Sequence, residues 1–223
     1  MISHPSASPT SAALLTHCDF TLPVAAAHRA PAWTGLTADN VGGLDGFLKV
    51  IETEIKPKVA ALVPLDAAKS AIFGHSIGGL AVLRAWFTEP AAFQAFIAAS
   101  AAIWWDADAV LADEPSFSKR VESVETSPRI LITAGSAEPD SPAPPQAFLD
   151  SLPLERRSEL TAYLKMAGRW NGMVSGGRSL VARLGQLHGG PAYKVTFVAF
   201  ADERHETVAP AALSRGMHFA FDR

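Results

Sequence analysis

Five residues, Gly74-His75-Ser76-Ile77-Gly78, set a serine between two glycines, with an apolar run before them and a glycine-containing helical run after. A G-x-S-x-G box in that setting is a nucleophile elbow, a sharp strand-to-helix turn that lifts the serine oxygen clear of a sheet. Small residues two before and two after the serine are expected, because the turn is strained and backbone passes close by. A serine hydroxyl attacks poorly unless a base takes its proton and a third group orients that base. The chain supplies such groups in the order serine, acid, histidine, each just past a predicted strand: Ser76, the 135–140 loop and His205. The loop offers Glu138 near the strand end and Asp140 two residues on. Glu138 is the first choice for the acid, Asp140 its rival, and a Ser–His dyad without a held acid the third arrangement. The backbone N–H of Ile77 is the natural donor to an oxyanion; for a second donor Gly42-Gly43 is the nearest candidate.

Of the seven histidines, only His205 follows a strand and precedes a new helix, near Pro210. His75 reads as structural, shaping the elbow, and His188 as a helix end. His218 reads as half-buried packing on the last helix. His4, His17 and His28 fall in the irregular start.

The elements that must position these groups are legible as hydrophobic periodicity. Leu44, Phe47, Leu48, Ile51, Ile55 and Val59 recur at helical spacing and predict one amphipathic helix, with Pro57 near its end. Ser70 to Phe73 is a short strand running into the elbow, and Leu80 to Phe87 a helix apolar nearly all round. Phe96 to Ser100, Arg129 to Ala134 and Lys194 to Phe200 are further strands, and Met173 to Leu187 a helix. Strand alternating with helix, and strands apolar on both sides, predict an α/β fold with a mostly parallel sheet and helices on both faces. Residues 1–43 read as irregular chain over the surface. Residues 139–170, opening Pro-rich and ending at Trp170, read as a cap or insertion over a pocket.

At 223 residues, 48% hydrophobic and 18% charged, one domain over 1–223 is expected. A net charge of −3 with no long basic run argues against nucleic acid as a partner. Cys18 is the sole cysteine, which leaves no intrachain disulfide and no cysteine-based metal cluster. No secretory signal and no membrane-length apolar window is evident, so a cytoplasmic chain is the expectation, with the periplasm as the other compartment.

With Ser76, Trp104-Trp105, Glu138 and His205 placed, the chain resembles the putative-esterase (esterase D-like) family of α/β-hydrolases, in particular its siderophore-ester branch, the enterochelin and salmochelin esterases. The similar segments are Asp19-Phe20-Thr21, Gly43 to Lys58, Ala71 to Leu80, Ala98 to Asp106, Ile130 to Glu138 and Arg204 to Val208. The resemblance implies Ser76 as nucleophile, His205 as base and Glu138 in the orienting position; a serine acyl-enzyme route needs no metal or organic cofactor. The resemblance also implies that Trp104 and Trp105 wall the site; plain core aromatics is the competing reading. The chain departs from the family by starting after the first strands and their oxyanion loop. Thr16, Cys18 and Ala101 also stand where arginines and a proline are usual. The expected fold is thus α/β-hydrolase-like without the usual first strands, its open edge favouring a homodimer. The expected function is a serine carboxylesterase for small soluble esters, siderophore-type esters included. The alternative is a shortened, catalytically weak scaffold serving binding or assembly.

Overall fold

A computed structural model of the chain describes residues 19–25, 40–124, 126–140, 144, 146–167 and 172–222. The expectations for His4, His17, Cys18, His28 and Trp170 lie outside the described residues.

Four apolar runs form strands: β1 (Ala71–His75), β2 (Ala95–Ala99), β3 (Arg129–Gly135) and β4 (Lys194–Phe200). They lie in the order β1-β2-β3-β4, every pair parallel. His75 stands opposite Ala99, Ala99 opposite Thr133, and Gly135 opposite Phe200, so the carboxyl ends share one rim. In an open parallel sheet that rim is where ligands bind.

Helix α1 (Leu44–Val50) passes through a π-helical turn, Ile51–Ile55, into α2 (Lys56–Leu62). Further α-helices are α3 (Ile77–Thr88), α4 (Glu114–Glu122), α5 (Gln146–Ser151), α6 (Leu154–Ala167), α7 (Met173–Leu184) and α8 (Val208–Phe221). Side chains alternate across each strand, which divides the core in two. Phe96, Ala98, Ile130 and Ile132 meet Leu80, Leu83, Trp86 and Phe87 of α3 and Leu180 and Leu184 of α7. On the other face Ala95, Ile97 and Leu131 meet Ala220 of α8. The buried stripe of α8 is Val208, Ala212, Gly216 and Ala220, spaced by four. Those small residues bring the helix close to the sheet: a Cβ on Gly216 would lie 2.9 Å from Ile97 Cγ2.

Two expectations need correction. The single amphipathic helix over 44–59 is interrupted by the π turn, which sits where Pro57 offers no N–H and crowds the carbonyl of Thr53. Of its apolar stripe only Leu44 is buried; Ile55 and Val59 are 43% and 40% exposed, since no described element covers them. His218 is not half-buried packing: its side chain is 69% exposed and pairs with Asp222 one turn on, at 2.6 Å. Of the 139–170 segment, α5 and α6 are described.

Candidate active site

Strand β1 ends at His75 and α3 begins at Ile77, so Ser76 makes the whole turn, with φ 59° and ψ −117°. Backbone bonds to the end of β2 hold that strained conformation. The Ser76 N–H donates to the Ala99 carbonyl (2.9 Å), and the Ser76 carbonyl accepts from Leu80 N–H and Ala102 N–H (3.1 Å each). The glycines around it are not equivalent. A Cβ on Gly74 would lie 2.0 Å from the Gly78 carbonyl oxygen, and one on Gly79 2.8 Å from Ala101 Cα. A Cβ on Gly78 would meet nothing within 4 Å. The second small residue the turn demands is therefore Gly79, not Gly78. Gly78 contributes the backbone that Gly74 must clear.

Strand β3 ends at Gly135, whose hypothetical Cβ would lie 2.2 Å from the Glu203 carbonyl oxygen. This close approach lets the loop after β3 bond along the loop after β4. Ser136 N–H donates to the Phe200 carbonyl (2.8 Å), Ala137 N–H to the Glu203 carbonyl (3.0 Å), and Asp202 N–H to Ser136 Oγ (2.9 Å). Glu138 sits on one loop and His205 on the other, so their separation is fixed by backbone rather than by long side chains.

The three predicted groups meet. His205 Nε2 lies 3.0 Å from Ser76 Oγ, and His205 Nδ1 lies 3.0 Å from Glu138 Oε2. Oxygen Oε1 of Glu138 accepts from Gly135 N–H (2.6 Å) and from the Ser100 hydroxyl. Glu138 is 5% exposed. Burial, the largest influence, opposes its ionisation, but the hydrogen bonds from His205, Ser100 and Gly135 outweigh it and hold the carboxyl below its ordinary value. The carboxylate in turn keeps the proton on Nδ1, which leaves Nε2 free to accept from Ser76.

Asp140 is elsewhere: its Oδ1 accepts from Ser175 N–H (3.1 Å) and Ser175 Oγ–H (2.8 Å), capping the first turn of α7. Glu138→Gln is therefore expected to slow turnover about 10³-fold or more by losing the favoured tautomer. Asp140→Asn should change turnover less than about threefold, because it touches a helix cap. Steady-state rates of the two variants check the ranking. The depressed Glu138 carboxyl makes folding stability depend on pH. Its contribution is present above the ordinary value of 4.5 and lost as pH falls through the lower folded value. Acid unfolding of Glu138→Gln should lack that component.

The imidazole of His75 lies 4.6 Å from that of His205, centroid to centroid. Burial and then the neighbouring His205 push its pKa below 6.5, so it stays uncharged at neutral pH. The Ile77 amide opens α3 and has no acceptor within the helix, as an oxyanion donor requires. Trp105 is 5% exposed and its indole N–H donates to the Leu22 carbonyl (3.1 Å), which builds it into the core. Trp104 packs on it at 6.3 Å between ring centroids and is partly exposed.

Sequence reasoning missed Ser100 and Ser136. The available signal for Ser100 was a lone hydroxyl within the buried alanine run 98–102. Two open cavities, about 610 and 550 Å³, lie beside the amino ends of β2–β4 and between α1 and α3; neither is lined by Ser76, His205 or Glu138. Among the described residues no cluster of His, Cys, Asp and Glu could hold a metal ion, and no helix is long and apolar enough to cross a membrane.

The elbow on a parallel sheet with helices on both faces defines an α/β-hydrolase-like fold. The chain belongs to the Putative esterase family, which matches residues 23–179. It is 32% identical over 185 residues to the siderophore triacetylfusarinine C esterase of Aspergillus fumigatus, covering 81% of this chain and 59% of that one. It is 30% identical over 219 residues to the ferri-bacillibactin esterase BesA of Bacillus subtilis, covering 98% and 65%. Among solved structures, the siderophore hydrolase EstA of Aspergillus nidulans is similar with a TM-score of 0.68 and 28% identity, over 92% of this chain and 65% of that one. The chain thus spans about three fifths of the length of these relatives.

Proposed function

We propose that the chain is a serine ester hydrolase working through an acyl-enzyme. The observation that carries this reading is the continuous relay from Ser76 Oγ through both nitrogens of His205 to the buried Glu138. Ser76 Oγ attacks the ester carbonyl carbon as its proton passes to His205 Nε2, and the oxyanion is met by the Ile77 N–H. Collapse of the tetrahedral species breaks the C–O bond, and His205 gives its proton to the departing alcohol. Water then attacks the acyl-Ser76 carbonyl while His205 takes its proton. The second collapse releases the acid, and the proton returns to Ser76 Oγ.

The substrate class is a soluble small-molecule ester. Siderophore-type esters are favoured by the relatives: two carry siderophore esterase or hydrolase names, and a third is named a ferri-bacillibactin esterase. The test is hydrolysis of p-nitrophenyl acetate and butyrate by the chain and by Ser76→Ala. Turnover that vanishes with the hydroxyl supports the reading. Equal rates remove it and leave a binding or assembly role.

A further inference from the structure

Ser100 follows β2 directly, is 0% exposed, and has φ 44°, a region where serine is uncommon. Its N–H donates to the Thr133 carbonyl (2.7 Å), tying the turn to β3. The neighbouring Ala99 and Ala102 supply the carbonyl and the N–H that clamp the Ser76 backbone. One short segment therefore grips the nucleophile through its backbone and reaches the acid through a single side chain. That side chain shares Glu138 Oε1 with the Gly135 N–H, so both donors on Oε1 turn Oε2 toward His205.

We propose that Ser100 is a positioning residue: its buried hydroxyl donates to Glu138 and fixes both the direction and the ionisation of the carboxylate that orients His205. This rests on the ester-hydrolase reading above. A buried carboxylate oxygen that loses a donor keeps more charge and binds a proton more readily. Removing the hydroxyl therefore makes the Glu138 carboxylate hold a proton to higher pH. Close to the Glu138–His205 pair are His75, at the end of β1, which both its members influence, and Glu206, next to His205 in the chain, which acts on His75. Neither occupies Oε1.

The test compares the full chain with Ser100→Ala, Ser100→Gly, Glu138→Gln, Ser76→Ala and the Ser100→Ala/Glu138→Gln double variant. Glycine suits the positive φ and lacks the hydroxyl, so it separates backbone strain from hydrogen bonding. Expected for both Ser100 variants is a kcat for p-nitrophenyl acetate lower by about 10–100-fold, with KM within about twofold. The acid limb of the pH profile, and the component of acid unfolding that Glu138 contributes, should both move to higher pH. In the Glu138→Gln background the loss of Ser100 should cost little more. An unmoved acid limb, a Ser100→Gly variant as fast as the parent chain, or fully additive losses would each overturn the proposal. If Ser76→Ala instead hydrolyses as fast as the parent, the ester-hydrolase reading fails. The Glu138 component of acid unfolding in Ser100→Ala, which needs no turnover, then still decides the role of Ser100 by itself.

Discussion

Replacing His205 with alanine is expected to lower kcat/KM for a small ester by about 10⁴-fold or more. The imidazole is the acceptor within reach of Ser76 Oγ among the contacts of that oxygen, at 3.0 Å. Without it the nucleophile must attack as a neutral hydroxyl, and the leaving alcohol must depart unprotonated. The loss should be non-additive with Ser76→Ala, since a base without a nucleophile and a nucleophile without a base are equally idle. The double variant should therefore be no slower than the worse single one. KM should change much less than kcat, because the imidazole acts on the reacting proton rather than on substrate affinity. Rates of the two single variants and the double variant check this directly. Multiplying losses would mean that the two residues do not act as a unit.

The second large effect is on folding. Gly74→Ala drives a methyl to 2.0 Å from the Gly78 carbonyl oxygen, a rigid backbone atom in the first turn of α3. The strand and helix must then separate, at a cost of about 3 kcal/mol or more. In a domain of this size that corresponds to a melting point lower by about 6–12 °C. Gly78→Ala has open space at the same turn and replaces a poor helix former. It should raise stability by about 0.5–1 kcal/mol and leave most activity intact. Thermal unfolding of the two variants should thus move in opposite directions. Equal destabilisation would mean that the turn is strained at both glycines, as the motif alone implied.

That contrast marks what was legible in the sequence. The box, the apolar strands and the serine–acid–histidine order are local patterns, and the strands formed within a residue or two of the runs that predict them. That Glu138 rather than Asp140 lies against His205 could be anticipated from the strand end, because the tight turn after Gly135 returns the Glu138 side chain to the Gly135 amide. The remainder depended on contacts between distant segments. The Ser100 hydroxyl meets a carboxylate 38 residues away, and nothing near it in sequence announces the partner. Trp104 and Trp105 are adjacent and identical in type, yet only Trp105 reaches the Leu22 carbonyl, 83 residues away. Ile55 and Val59 carry a core-like pattern while remaining exposed, because periodicity tells which face is apolar and not whether an element covers it. His218 followed a helical spacing that tertiary packing did not use.

The central claim is that Ser76 is an activated nucleophile, and covalent capture reads activation without knowledge of the natural ester. The intact chain is treated with a fluorophosphonate and digested, and the modified residue is located by mass spectrometry. Stoichiometric modification of Ser76, lost in His205→Ala, is the predicted result. An unlabelled Ser76 in folded protein, or labelling that persists unchanged without His205, would contradict the account.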